Sequence, residues 1–194
     1  QGKYPVIFIS FKDIKHKSWV DSLRNIASVL SGEFLRHKEL LRSTKVNEFD
    51  KEYYRKVAAQ KADEVELSQS LLILSRMLDE HYGIAPVIII DEYDTPIQQG
   101  YTAGFYDQSV SFMRNFFSGG LKDNTHLSYG FMTGILRVAK ESIFSGLNNL
   151  KINSIMDQKY SEYFGFTSDE VKALAAYYKA SDKFAEICEW YDGY

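Results

Sequence analysis

The chain has 194 residues, 45% hydrophobic and 25% charged, which suffices for one sizeable core and lies outside the composition of disordered or collagen-like proteins. A formal net charge of −3 offers no global attraction for nucleic acid, and no apolar run approaches a membrane span. The single cysteine, Cys188, excludes an internal disulfide, and no signal-peptide pattern opens the chain; a cytoplasmic protein with neither nucleic acid nor membrane as partner is expected.

The run Pro5 to Phe11 is short, apolar and β-rich, the form of a strand covered on both faces. From Ser18, a candidate cap, to about Arg42, Trp19, Leu23, Ile26, Leu30 and Phe34 recur at helical spacing. A polar region follows. Leu67, Leu71, Leu74 and Leu78 then mark a second amphipathic helix that stops at Gly83. Pro86 to Asp91 is a continuous apolar run ending abruptly in acid, as a central parallel strand does. After a turn-rich stretch with Pro96, Gly100 and Gly104, Tyr106, Val110, Met113 and Phe117 form a helical stripe ending at Gly119 and Gly120. Leu127 to Thr133 reads as a strand leading into a turn at Gly134, and a shorter strand is expected at Lys151 to Met156. From Thr167 the character becomes helical, with Thr167 and Glu170 at capping-box spacing.

Strands alternating with long helical patterns predict an α/β fold: a mainly parallel sheet flanked by helices over residues 1–165, with the start of a small helical subdomain at 166–194. The apolar strand ending in Asp91 and Glu92 has the form of a Walker B pair. The first carboxylate holds Mg²⁺ or one of its waters, and the second orients the attacking water. A solvated acidic turn is the plain alternative. Asp94 extends the acidic edge. Thr133, one helical crossover later, stands where a polar sensor is placed, or bonds its own backbone at a strand end. Arg137 and Lys140, just past the same strand, are of the type that meets phosphate oxygens, and equally of the type found in a solvated basic turn. His16, His37, His81 and His126 are scattered without ligand spacing.

The strings Val87 to Ile97 and Thr133 to Leu150 resemble the bacterial AAA-ATPase-like family, as do Tyr4 to Phe11, Tyr163 to Thr167 and Trp190 to Tyr194. The resemblance implies a P-loop NTPase-type sheet and an ATP-binding and ATP-hydrolysing parent. In it Asp91 is the Mg²⁺ ligand, Glu92 the water-orienting base, Thr133 or Arg137 the γ-phosphate sensor, and Asp94 and Lys140 contact the cofactor. Family members carry a Walker A loop upstream, and many continue into a PD-(D/E)XK nuclease-like domain. No G-x-x-x-x-G-K-S/T occurs here, and the chain opens on Gln, so the expectation is a fragment, inactive alone, that meets ATP through an upstream segment. The alternative is a degenerate nucleotide-fold module that binds proteins through its aromatics beside a nuclease-like domain. A nuclease site within the chain is unsupported, because Asp91 to Asp94 offers no Glu-x-Lys.

The resemblance also carries a topological expectation, with the strand that enters Walker A lying between the Val87 to Asp91 and Leu127 to Thr133 strands. Without it their facing edges would be unpaired. Direct pairing of the two strands, or a partner chain through homo-oligomer formation or strand exchange, is expected to close the gap.

Overall fold

The computed structural model describes residues 2–135, 150–154, 157–163 and 165–191, the side chains at 158, 161 and 162 excepted. Chain contacts divide it into two units, Gln1–Leu150 and Lys151–Tyr194, where the sequence placed a boundary at 165/166. The first unit runs β1 (Val6–Ser10), α1 (Trp19–Arg36), a 3-10 turn (Lys38–Arg42), α2 (Glu48–Ala58), α3 (Glu64–Ser68), α4 (Ser70–Tyr82), β2 (Val87–Asp91), α5 (Thr95–Ala103), α6 (Tyr106–Leu121) and β3 (Tyr129–Met132). The second holds α7 (Ser168–Tyr177) and α8 (Phe184–Tyr191) with short 3-10 turns.

Local signals account for most boundaries. The Ser18 hydroxyl accepts the Asp21 amide at the start of α1, Gly83 takes the left-handed cap of α4 at φ +69°, and Thr167 and Glu170 form a reciprocal capping box on α7. Four expectations need correction. The long first helix ends at Arg36, because His37 leaves helical geometry and the chain tightens into the 3-10 turn that buries Leu40. The polar stretch contains α2, whose inward face carries Tyr54 and Val57 beside a buried Asp50; Arg76 of α4 grips Asp50 through two bonds of 2.9 and 2.6 Å. The stretch with Pro96 and Gly100 is helix α5, because Pro96 sits in the first turn, where its missing N–H costs nothing. The strand expected at 151–156 is not formed by residues 151–154, which are irregular; 155 and 156 lie outside the described residues.

The sheet is parallel, in the order β1-β2-β3. Ile7 lies opposite Ile88, Phe8 opposite Ile89, and Ile89 opposite Phe131. The gap expected beside β2 is therefore closed by direct pairing of β2 with β3 within the chain, and no strand lies between them. Ile7, Ile9, Ile88 and Ile90 are at most 1% exposed and share one core with α1, α4 and α6. The other face is open: Phe8, Tyr129 and Phe131 are 45%, 58% and 56% exposed. Among the described residues, helices cover the apolar runs on one face, where the sequence predicted cover on both.

The outward amide of Phe8 donates to Glu33 Oε1 at 3.0 Å, so α1 closes the outer edge of β1 at that position. Glu33 is itself buried. The same oxygen lies 3.1 Å from His37 Nε2, and Oε2 accepts from Arg36 at 2.7 Å. Glu33→Ala leaves a part-buried amide unpaired and should lower stability by about 1–2 kcal/mol, read as a fall in the urea midpoint. Arg24→Ala, which removes the exposed pair with Asp21, should leave that midpoint unchanged.

Candidate functional site

In a parallel sheet all strands end on the same side, and here the three C-terminal ends bring Ser10, Asp91 and Thr133 together. Asp91 is the last residue of β2 and pairs in register with Ser10, the last of β1. The Thr133 amide donates to the Ile90 carbonyl at 2.9 Å, continuing the β2–β3 ladder past Met132. The Thr133 hydroxyl donates to Asp91 Oδ1, and the Ser10 hydroxyl approaches Oδ2 at 3.5 Å. Ser10 is the member of this group that the sequence reading missed; its signal was a lone hydroxyl ending an apolar run.

Beyond Asp91 the chain turns sharply. Glu92 adopts φ +52°, a left-handed conformation that a residue with a Cβ occupies at a cost of about 1 kcal/mol. Its backbone carbonyl accepts the Thr95 amide at 3.1 Å and its carboxylate the Thr95 hydroxyl at 3.2 Å, which fixes the turn and starts α5. Glu92 remains half-buried, at the lip of the strand edge. Tyr93 points inward against Phe117 of α6, with ring centroids 6.2 Å apart and planes at 78°. Its amide donates to the Thr133 carbonyl at 3.1 Å. Asp94, 1% exposed, accepts from Gln98 Nε2 at 2.6 Å and from the Ile135 amide at 3.1 Å.

Of the residues singled out from sequence, the structure brings Asp91, Glu92, Asp94 and Thr133 into one region, with Asp94 turned into the protein. Arg137 and Lys140 lie outside the described residues. The histidines stay apart: His126 Nδ1 sits 2.8 Å from Asp79, His81 Nδ1 2.8 Å from Ser43, and His37 faces Glu33. Among the described residues no group of three or more His, Cys, Asp or Glu is placed to hold a metal ion. A single strand-end carboxylate between two hydroxyls nonetheless suits Mg²⁺, which retains several waters and takes one or two protein oxygens together with phosphate. A cavity of about 510 Å³ lined by Glu64, Phe112 and Ser118 contains none of these residues. No described helix is long and apolar enough to cross a membrane.

A family model described as a predicted AAA-ATPase matches residues 1–144, a span that contains every candidate site residue. An uncharacterized protein from the vnfD 5′ region of Azotobacter chroococcum mcd 1 is 34% identical over 113 residues, which are 58% of this chain and 22% of that protein. The matched stretch thus covers less than a quarter of the relative. No solved structure matches.

The strain at Glu92 yields a measurable outcome. Glu92→Gly relieves the left-handed backbone and should leave stability unchanged or raise it by up to about 1 kcal/mol, although the contact with Thr95 is lost. A clear drop in the denaturation midpoint would show that the turn is held by the side chain instead.

Proposed function

The chain belongs to the AAA-ATPase-like family, and from that premise we propose that the strand edge at Asp91 is the magnesium- and water-handling side of an ATP site in a P-loop NTPase-type sheet. The observation that carries this reading is the meeting of Ser10, Asp91 and Thr133 at three parallel strand ends, with Glu92 held in a strained turn beside them. Asp91 would hold Mg²⁺ directly or through a bound water, with Ser10 and Thr133 as hydroxyl neighbours. Bound there, Mg²⁺ supplies charge neutralisation to the β- and γ-phosphates. Glu92, half-buried at the lip, orients the attacking water and accepts its proton. Thr133 reads the γ-phosphate, a role proposed equally for Arg137, while Lys140 meets phosphate oxygens.

The sequence holds no G-x-x-x-x-G-K-S/T, so in this reading the phosphates are cradled by a loop outside these 194 residues. The 194-residue chain alone should then release no phosphate from ATP beyond the background of its own Glu92→Gln variant, measured with Mg²⁺ present. Turnover that the substitution abolishes would contradict the dependence on an outside cradle.

In the longer protein with its phosphate loop, Glu92→Gln should still bind ATP but turn it over roughly 100-fold or more slowly. Asp91→Ala should weaken Mg²⁺-dependent nucleotide binding as well. Equal turnover in both variants and the parent would make the acidic edge a solvated turn. A second reading, a nucleotide-fold module that binds another protein, is favoured by the open sheet face at Phe8, Tyr129 and Phe131. It requires that the longer protein show no turnover at all.

A further inference from the structure

Asp94 is the one carboxylate of the acidic turn that solvent does not reach. Burying an ionised carboxylate costs several kcal/mol unless donors satisfy it, so its bonds specify a geometry as well as supporting it. One of them runs to the backbone of a distant segment: Asp94 Oδ2 takes the Ile135 amide at 3.1 Å across 41 residues of sequence, while Gln98, one turn along α5, braces the same oxygen at 2.6 Å. Gly134 lies between, and the fit is tight. A Cβ on residue 134 would stand 2.6 Å from Asp94 Oδ1 and 2.7 Å from Tyr93 Cε1, both inside van der Waals contact, and both belong to buried side chains with little room to yield.

We propose that Asp94 is a positioning residue: its buried carboxylate clamps the Thr133–Gly134–Ile135 turn and so holds the Thr133 hydroxyl against Asp91. The bonds bracket Thr133 closely. Its amide is fixed to the Ile90 carbonyl and its carbonyl to the Tyr93 amide, and two residues on, the Ile135 amide is fixed to Asp94. Residues 133–135 are thereby tied to the acidic turn at both ends, and Thr133 is left little freedom except in its side chain. A group that must meet phosphate would present an accessible oxygen, whereas Asp94 is buried and its Oδ2 is held by two of the chain's own amides. The glycine at 134 is needed for this approach rather than for an unusual backbone angle, since only a residue without a Cβ lets carboxylate and turn come together.

The clamp stands on geometry alone; only its effect on turnover rests on the ATP-site reading above. Hydrogen exchange of the Ile135 amide in the 194-residue chain tests it directly. That amide should be protected in the parent, and Asp94→Ala should speed its exchange by about tenfold or more while core amides of α4 keep their protection. Asp94→Asn can keep its one oxygen in the Oδ2 position, where it accepts from both Ile135 and Gln98, so exchange should stay within about threefold of the parent. Gly134→Ala, which pushes a Cβ into the clamp, should reproduce the alanine result and serves if Asp94→Ala does not fold. An unprotected Ile135 in the parent, or exchange unchanged in both disruptive variants, overturns the clamp.

In the longer protein, Asp94→Ala should lower kcat with little change in KM for MgATP, and Asp94→Asn should recover much of the loss. If Asp94→Asn is as impaired as Asp94→Ala, the charge acts on the ligand itself and the positioning role is wrong. Absence of turnover in the parent would sink the ATPase reading, and the exchange result would still decide the clamp.

Discussion

The arrangement depends on the parallel pairing of β2 with strands on both its edges. Ile88 and Ile90 are fully buried beneath the helices, and their register with β1 and β3 leaves no freedom for any strand to slip by one residue, since a slip would turn the core-facing isoleucines outward. Register in the core thus dictates position at the rim. Ser10 and Asp91 are neighbours because Ile7 and Ile88 are, and Thr133 reaches Asp91 because Gly130 lies opposite Ile88. Polar contacts at the strand ends inherit their precision from apolar packing several residues away.

The rim adds constraints of its own. A chain leaving β2 must bend at once to enter α5, and the bend is made at Glu92, a residue with no intrinsic liking for left-handed backbone. Tyr93 then anchors the turn against Phe117, and the Tyr93 amide and Asp94 carboxylate reach across to the segment after β3. Three successive residues therefore serve separate ends: Glu92 faces the lip, Tyr93 enters the core and Asp94 holds the neighbouring turn. Strain at the first is balanced by burial and bonding at the next two.

Much of this was legible in the residues. Continuous apolar runs identified β1 and β2, the leucine stripe marked α4, and Ser18, Gly83 and Thr167 marked helix ends through their own hydrogen-bonding or backbone preferences. Asp91, Glu92 and Thr133 could be picked out because polar groups ending apolar strands are conspicuous. What escaped notice was tertiary in origin. Helix α2 shows little apolar periodicity because Asp50 and Lys51 are buried along with Tyr54; Lys51 pairs with Glu48 in the same helix, but the partner of Asp50 is Arg76 on another helix. Pro96 and Gly100 read as turn signals, yet the first fits a helix start, and a Cβ on the second would meet Ser109 at 3.0 Å and the Tyr106 backbone at 3.2 Å, a tight approach between α5 and α6. The burial of Asp94 could not be seen from an acidic string in which three carboxylates look alike.

The open face of the sheet gives the rim its chemical character. Side chains alternate along a strand, so Phe8 and Ser10 project on one side, as do Ile89 with Asp91, and the register places Phe131 and Thr133 with them. The polar rim therefore belongs to the face opposite the helical core, where Phe8, Tyr129 and Phe131 are exposed. On the covered face an aspartate at the end of β2 would need buried donors to offset its desolvation, as Asp94 does with the Ile135 amide and Gln98. On the open face Asp91 keeps contact with water and needs only the hydroxyls of Ser10 and Thr133 beside it. The strand end and the turn after it thus hold two aspartates of opposite kind: Asp91, half-buried with only hydroxyls as described partners, and Asp94, buried with Oδ2 held by two of the chain's own amides. The difference arises from where each one sits, Asp91 at the end of β2 and Asp94 in the buried start of α5, and not from anything in the aspartate itself.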